Sequence, residues 1–328
     1  MKIIRSIAAF NSSEKTIVTI GTFDGIHIGH KKILKNLIST ANKEGKKSVL
    51  LTFFPHPRMV LQKDKTILLL NTLDEKSMLL EKMGLDYLII HPFSKEFSRL
   101  TALDFVRDIL VNKLNTSKLI IGYDHHFGKN REGNIHQLKE YSSLYDFDIE
   151  EIPAQDIDDV SVSSTKIRTA LKEGNLKTAN AYLGYQYMLS GIVVSGKQLG
   201  GTIGFPTANI EVKEPYKLIP STGVYIIKTQ INSVVFYGIM NIGFNPTVLG
   251  KHQTIEAHLF DFNDDLYGKK ITIALIHFLR EEQKFNSVEE LVDQLNIDKK
   301  KCGFLPVKQS HVTLCDIDSL TISLKFYN

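Results

Sequence analysis

The chain has 328 residues and a net charge of +4, and 43% of its residues are hydrophobic against 23% charged. This length suits two domains of ordinary globular composition, and the small positive charge fits anionic small molecules but is too weak to indicate a nucleic-acid binder. The two cysteines, Cys302 and Cys315, are too few for a disulfide framework or a cysteine-rich zinc module, and no apolar run approaches the ~18 residues of a membrane span.

The N-terminal segment MKIIRSIAAFNSSEKT has a short apolar stretch that Arg5 interrupts. It lacks the long apolar region and the small-residue cleavage site of a secretory signal peptide. We therefore expect a cytoplasmic enzyme that acts on small molecules as a monomer or a weak homo-oligomer, without membrane or nucleic-acid partners.

The first half of the chain alternates β-rich runs with helical patterns. One helical pattern ends at Gly45, a typical helix-terminating residue, and another begins with Thr101 and Asp104 at the spacing of a capping box. Five strands separated by helices predict an α/β fold, with a parallel sheet covered by helices on both faces. The predicted strands are 16–20, 48–54, 86–93, 118–124 and 147–154.

A polar cluster follows each of these strands. Because the carboxyl ends of parallel strands share one edge, the clusters predict a single ligand site at the topological switch point of the sheet. The first cluster, GTFDGIHIGH at 21–30, leads into a helix, whose first N–H groups and dipole suit a phosphate. If that helix starts near Ile26, His27 and His30 lie on one face of its first turn.

These two imidazoles can donate hydrogen bonds to a phosphate oxygen as charge develops in a transition state. Nearby glycines, at positions Gly21, Gly25 and Gly29, allow a ligand to approach the backbone closely. An incidental solvated pair of histidines and half of a zinc site stay open as alternatives. Further zinc ligands would have to come from His56, His91, Asp124, His125 and His126.

The motif VSSTKIR at 162–168 also carries donors that suit phosphate. Hydroxyl groups of Ser164 and Thr165 stand at a predicted helix start, followed by Lys166 and Arg168. A plain helix cap with a solvated basic face is the alternative interpretation of the same residues.

Taken together, GTFDGIHIGH, FFPHPR, GYDHHFGKNREGN and VSSTKIR resemble the adenylyltransferase module of the prokaryotic bifunctional riboflavin kinase/FMN adenylyltransferases, also called FAD synthetases. The resemblance implies a Rossmann-like nucleotidylyltransferase domain over 1–184. It also implies that His27, His30 and Arg168 are catalytic at the ATP phosphates. Implied ATP contacts are Gly21, Phe23, Asp24, Gly25, Gly29, Ser164 and Thr165, and implied flavin contacts are His56, Asp124 and Phe127.

The second half of the chain has period-two strands, many turn residues and little helix, which predicts an antiparallel barrel or sandwich. The stretch GKQLGGTIGFPTANI at 196–210 is rich in glycine and predicts a loop around a ligand. Thr207 and Asn209 point to one side if extended, and their oxygens are hard ligands suited to Mg²⁺. A glycine-rich hairpin with solvated polar residues is the alternative.

A glutamate with an aromatic neighbour lies in the run TIEAHLFDF at 254–262. Glu256 shares one strand face with His258 and Phe260, so it could act as a general base towards a substrate hydroxyl. It could equally be a surface residue. A helix beginning near Ser287 and Glu290 follows the last strand.

These motifs, with STGVY, NIGFNPTV and FLR, resemble the riboflavin kinase module of the same family. The resemblance implies a compact antiparallel β-barrel with a C-terminal helix over 185–300, followed by a tail, 301–328, of unknown role. It implies ATP contacts at Gly196, Gly204 and Pro206, a Mg²⁺ site at Thr207 and Asn209, a flavin contact at Asn245 and Glu256 as the base.

The implied function is phosphorylation of riboflavin to FMN by ATP, followed by adenylylation of FMN to FAD with release of pyrophosphate. Mg²⁺ is the implied metal. Two alternatives are an FMN adenylyltransferase with an inactive kinase-like barrel and a flavin-binding sensor without turnover.

Overall fold

The computed structural model describes residues 1–62, 66–123, 126–153, 162–196, 204–247 and 250–303. It divides into two compact units, Met1–Ser164 and Thr165–Asn328. This division comes earlier than position 184, where the sequence predicts the boundary.

The first unit contains a six-stranded parallel sheet in the order β1-β4-β3-β2-β5-β6. The five predicted strands are all present, and the α/β fold class is confirmed. The sixth strand, β1, is an edge strand of three residues, and two of its side chains are exposed. It has no long apolar run from which a strand could be predicted. The strands are β1 (Lys2–Ile4), β2 (Thr16–Ile20), β3 (Lys47–Phe54), β4 (Tyr87–Pro92), β5 (Thr116–Gly122) and β6 (Asp148–Ile152).

Helices connect these strands. As predicted, α1 ends at Gly45, whose φ of 64° is the left-handed conformation that glycine tolerates best. Thr101 caps α4 as expected, but the chain then continues as a π-helical segment, Phe105–Val111, instead of a regular α-helix. The helices of this unit are α1 (Ile28–Glu44), α2 (Pro57–Leu61), α3 (Leu73–Lys82), α4 (Ala102–Asp104) and α5 (Ile135–Tyr145).

The central strand β2 marks the topological switch point. Strands β3 and β4 lie on one side of it and β5 and β6 on the other, and all five of its side chains are buried. The segment that follows β2, residues 21–30, therefore lies where ligands bind in open α/β sheets.

The second unit is a closed barrel of six antiparallel strands in the order β10-β11-β8-β7-β12-β9. The runs YMLSGIVVSG, GVYIIKTQ, VVFYGIM, TIEAHLFDF and KKITIALIHFL predict five of these strands; the structure adds β8, which is short and follows the glycine-rich segment. The predicted choice between barrel and sandwich is thereby decided. The strands are β7 (Met188–Val194), β8 (Ala208–Glu211), β9 (Gly223–Ile231), β10 (Val234–Thr247), β11 (Gly250–Leu259) and β12 (Lys270–Arg280).

Two short helices, α6 (Ser164–Lys172) and α7 (Leu176–Leu183), precede the barrel. The Asn180 side chain donates to the Leu275 carbonyl of β12 and accepts from the Tyr187 N–H, at 3.0 and 2.7 Å. These hydrogen bonds tie α7 to the barrel and explain why the compact units divide before position 184.

The C-terminal helix α8 (Val288–Gly303) follows the barrel, and the Glu290 N–H donates to the Ser287 hydroxyl at its start. The helix extends three residues into the predicted tail, and 304–328 lie outside the described residues. Asp298, fully buried, accepts hydrogen bonds from Nε and Nη2 of Arg280, the last residue of β12. No helix in the described part of the chain has the length and apolar character needed to cross a membrane.

Candidate active sites at the switch point and in the barrel

The segment after β2 forms a tight, buried turn. Phe23, Gly25 and Ile26 have φ angles of 44°, 91° and 40°. Two of these are not glycines, and backbone strain of this kind is concentrated at functional sites. The Leu70 N–H donates to both oxygens of the buried Asp24 carboxylate, at 2.9 and 3.2 Å. These hydrogen bonds link the turn to a segment outside it.

His27 and His30 meet in this turn, but not as two residues of one helix. The helix begins at Ile28, not near Ile26, and His27 is its N-cap: its Nδ1 accepts the His30 N–H at 3.4 Å. The two rings stack with centroids 3.6 Å apart, and the Phe23 ring lies 4.8 Å from that of His30. The predicted juxtaposition of the imidazoles is therefore present.

Both imidazoles are neutral at pH 7. Burial lowers the pKa of His27 from 6.5 to about 4, although the Asp24 charge opposes this. Burial also lowers the pKa of His30 well below 6.5, helped by the neighbouring His27 and by the Lys76 charge. Because Nδ1 of His27 is an acceptor, its proton resides on Nε2, from which it can donate to a ligand.

The His30 Nδ1 atom is buried and has no hydrogen-bond partner among the described residues. Buried polar atoms are usually paired, and unpaired ones are concentrated at sites of ligand binding or catalysis. An oxygen-rich ligand at this turn would supply the missing partner.

The lowered pKa of His27 leads to a stability prediction. The native state holds the neutral ring, so this contribution is present above pH 6.5 and is lost as pH falls towards 4. The loss is about 3 kcal/mol of unfolding free energy at about 1.4 kcal/mol per pKa unit. We expect an NMR titration midpoint near 4 for the His27 ring, assigned by its absence in His27→Ala; a midpoint near 6.5 would contradict the buried, neutral ring.

The sequence analysis assigns no role to Lys76, although it lies against the turn. Its side chain is 5% exposed and its ammonium donates to the Thr22 carbonyl at 2.6 Å. Helical spacing could have predicted that Lys76 is buried, because it lies on the same face of α3 as Leu79 and Leu80.

Other predicted residues of the first unit occupy varied positions. His56 caps α2, its Nδ1 accepting the Arg58 N–H. Phe127 is buried in the apolar core beside Phe105, with ring centroids 5.7 Å apart, and its role in flavin binding stays a prediction. Asp124 lies outside the described residues.

Gly21 and Gly29 lie close to the histidine pair. A methyl group on Gly21 would come within 2.9 Å of the Phe23 ring, so glycine leaves space for the ring at this position. Gly29 is buried in the first turn of α1.

The zinc alternative gains no support. No group of three or more histidine, cysteine, aspartate or glutamate side chains within the described ranges could hold a metal ion. His91, one of the candidates, accepts the Ile7 N–H through Nδ1.

Ser164 begins α6, and its hydroxyl donates to the Asp24 carbonyl at 2.9 Å. This hydrogen bond links the start of the VSSTKIR helix to the turn within the first unit. Thr165 is exposed and Arg168 is partly exposed, both in the second unit. Their contacts with a nucleotide stay predictions.

In the barrel, Glu256 of β11 stands opposite Asn209 of β8 in the antiparallel register. Directly opposed residues of neighbouring strands have adjacent side chains. The predicted base and one predicted Mg²⁺ ligand are therefore neighbours, although 47 positions separate them in the sequence (256 − 209).

Gly196 packs directly against Asn209. A methyl group at Gly196 would come within 1.9 Å of the Asn209 amide nitrogen and 2.9 Å of its amide oxygen. Glycine is required here because the backbone itself forms one wall of the Asn209 site.

His258 contacts the segment just before Thr207, through Phe205 and Pro206. One ring nitrogen, Nδ1, lies 2.8 Å from the Pro206 carbonyl, and the ring stacks edgewise on Phe205 with centroids 5.2 Å apart. The hydrogen bond fixes the Pro206 carbonyl, which immediately precedes Thr207 in the chain. The period-two alternation of β11 places His258 on the same strand face as Glu256. It does not predict the hydrogen bond to Pro206.

Two further predicted residues, Gly204 and Asn245, lie in the second unit. Gly204 is exposed, with a φ of 80° that favours glycine. Asn245 lies in β10, paired in register with His252, and its side chain is outside the described atoms.

Gly196→Ala is therefore expected to impair selectively the riboflavin phosphorylation that the resemblance implies for the barrel. The added methyl displaces the Asn209 amide, and a misplacement of about 1 Å in a catalytic site can reduce the rate roughly 100-fold. The measurement is riboflavin phosphorylation, with Gly303→Ala as control, where a methyl meets nothing within 4 Å. Equal rates for the two variants would contradict the packing argument.

Comparison with known proteins identifies both units. The sequence model of the FAD synthetase family matches residues 9–166, and that of the riboflavin kinase family matches residues 183–304. The first match contains the histidine turn and Ser164. The second contains Glu256, Thr207 and Asn209.

Full-length relatives carry both modules. The bifunctional riboflavin kinase/FMN adenylyltransferase of Listeria monocytogenes is 37% identical over 286 residues, covering 87% of this chain and 90% of the relative. Its counterpart in Bacillus subtilis is 35% identical (88% and 91% covered), and that in Escherichia coli is 37% identical (91% and 96% covered).

A solved structure has the same architecture. The crystal structure described as a macrolide-efflux protein from Streptococcus pneumoniae has a TM-score of 0.83 and 30% sequence identity, covering 92% of this chain and 98% of that one. From the two family matches and the full-length relatives, the chain belongs to the family of bifunctional riboflavin kinase/FMN adenylyltransferases.

Proposed function

We propose that the two units divide a two-step synthesis of FAD between them. The barrel phosphorylates riboflavin with ATP to give FMN, and the sheet unit transfers the adenylyl group of a second ATP to FMN, giving FAD and pyrophosphate. The presence of both family modules in one chain carries this proposal. We place the enzyme in the cytoplasm, as a monomer or a weak homo-oligomer without nucleic-acid partners.

In the barrel, the Glu256 carboxylate accepts the proton of the terminal ribityl hydroxyl. The hydroxyl oxygen attacks the γ-phosphorus of ATP, the bond to the β-phosphate oxygen breaks, and ADP leaves. Phosphoryl transfer depends mainly on positioning and charge stabilisation, so little covalent work falls to the protein. The opposition of Glu256 and Asn209 supports this arrangement, because it brings a base next to a predicted phosphate and metal site.

The oxygens of Thr207 and Asn209 fit Mg²⁺, which prefers hard oxygen ligands beside ATP phosphates. The close packing of Gly196 on Asn209 supports this assignment, since it fixes the amide that would hold the ion. When bound, Mg²⁺ neutralises phosphate charge during the transfer. Gly196, Gly204 and Pro206 form the loop around ATP, and Asn245 contacts the flavin.

In the sheet unit, a phosphate oxygen of FMN attacks the α-phosphorus of ATP, and pyrophosphate leaves. No nucleophile from the protein is needed. His27 donates from Nε2 to a phosphate oxygen, His30 supplies a second donor, and Arg168 balances the developing charge. The strained, buried turn supports this role, because it leaves the imidazoles prearranged and neutral.

The backbone of Gly21, Phe23, Asp24, Gly25 and Gly29 lines the phosphate site, with Ser164 and Thr165 as further ATP contacts. His56, Asp124 and Phe127 contact the flavin. The Ser164 hydrogen bond to the Asp24 carbonyl supports the grouping of these motifs.

The test is to incubate the purified protein with riboflavin, Mg²⁺ and ATP and to separate the flavins by chromatography. Sequential appearance of FMN and FAD is the expected result. Riboflavin that persists unchanged would indicate a sensor, and FAD formed only from added FMN would indicate an adenylyltransferase with an inactive barrel.

A further inference from the structure

A buried lysine supports the histidine turn from the neighbouring helix. Lys76 of α3 is 5% exposed and lies on the same helix face as Leu79 and Leu80, which are buried. Removing an ammonium group from water costs several kcal/mol unless it is paired and hydrogen-bonded. A lysine in this position therefore needs specific partners.

The first partner is the Thr22 carbonyl. The Lys76 ammonium donates to this oxygen at 2.6 Å, and the Thr52 hydroxyl of β3 donates to the same oxygen at 3.3 Å. Two donors from different elements thus fix the peptide plane between Thr22 and Phe23. This plane immediately precedes the residues with positive φ that lead to His27.

The second partner is the Asp24 charge. Burial lowers the pKa of Lys76, and the attraction of Asp24 opposes that change. The same ammonium helps to lower the pKa of His30, and Asp24 opposes the lowering for His27. The Lys76 charge therefore acts on His30 and the Asp24 charge on His27, the two neutral imidazoles of the turn.

We propose that Lys76 is a positioning residue for adenylyl transfer, which acts through the Thr22 carbonyl and Asp24 to hold His27 where a phosphate oxygen is bound. It does not contact the substrate. This inference rests on the proposed function of His27 and adds a residue that neither the motifs nor the family matches identify.

The first measurement compares Lys76→Met with Lys82→Met in the full-length enzyme. Methionine fills the space of the lysine chain without its charge, and Lys82 is an exposed lysine of the same helix. Loss of a hydrogen bond from a charged group corresponds to a fall in rate of roughly 10- to 100-fold when that bond supports the reaction. We expect that fall in kcat for FMN adenylylation in Lys76→Met only, with a KM for ATP and a riboflavin kinase rate within about twofold of wild type.

The decisive measurement is a double-mutant cycle with His27→Ala. If Lys76 acts through His27, the double variant is no slower than His27→Ala by more than about twofold, because the interaction is already lost. Multiplied effects of the two substitutions, or a wild-type rate in Lys76→Met, would overturn the proposal. A wild-type rate in His27→Ala would instead overturn the proposed function of His27.

Folding is checked separately. Thermal unfolding of each variant is recorded, and the cycle is repeated with Lys76→Gln, whose amide is a donor without charge. Non-additivity with His27 in this variant supports the proposal as well. If both Lys76 variants lose the folded sheet unit while the kinase unit stays active, Lys76 serves stability alone and the proposal is wrong.

Discussion

Glu256→Gln is expected to stop FMN formation while leaving the conversion of FMN to FAD intact. Glutamine keeps the shape of the side chain opposite Asn209 in the barrel register but cannot accept the hydroxyl proton. Loss of a general base reduces a rate by roughly 10²- to 10⁴-fold. The measurement supplies ATP and Mg²⁺ with riboflavin in one assay and FMN in another, and follows the flavins by chromatography.

The matched control is Glu211→Gln, an exposed glutamate on neighbouring β8. It removes the same charge from the same barrel and should leave both rates within about twofold of wild type. A Glu256→Gln enzyme that still phosphorylates riboflavin at the wild-type rate would remove Glu256 from the role of base. Loss of both activities in folded protein would contradict the division of labour between the units.

The double variant His27→Ala/His30→Ala should have the opposite profile: riboflavin is still phosphorylated, and FMN accumulates without becoming FAD. The stacked rings supply donors at the buried turn, and removal of one such donor from an oxyanion site reduces a rate by roughly 10²- to 10³-fold. We therefore expect FAD formation from supplied FMN to fall by at least about 100-fold.

Kinase activity in the same preparation serves as an internal control, because the barrel is a separate compact unit. His136→Ala, an exposed histidine on α5, controls for the removal of imidazole as such and should leave both activities unchanged. Undiminished FAD formation in the double variant would exclude the two imidazoles from charge stabilisation.

Sequence reasoning locates the sheet strands well because their signals are local. Strand β2 is buried at all five positions, and its residues form one continuous β-branched run, TIVTI, which is typical of a buried strand. The end of α1 at Gly45 and the candidate ligand-binding segment after β2 follow from equally local features. Edge strand β1 has no such run and is missed.

The candidate site motifs are also recognisable from the sequence, because each is contiguous. His27 and His30 are three positions apart, and Thr207 and Asn209 two, so their proximity needs no knowledge of the fold. The exact start of α1 was not recognisable, since a single residue decides whether His27 lies inside the helix or caps it.

The sequence by itself therefore determined the fold class and the segments in which the candidate site residues lie, since hydrophobic period, helix-ending residues and short motifs act over a few positions. Only the tertiary structure decided that Glu256 faces Asn209, that Gly196 packs on that amide and that Lys76 holds the Thr22 carbonyl. Such contacts join residues far apart along the chain, and strand register and helix packing, which no local spacing encodes, bring them together.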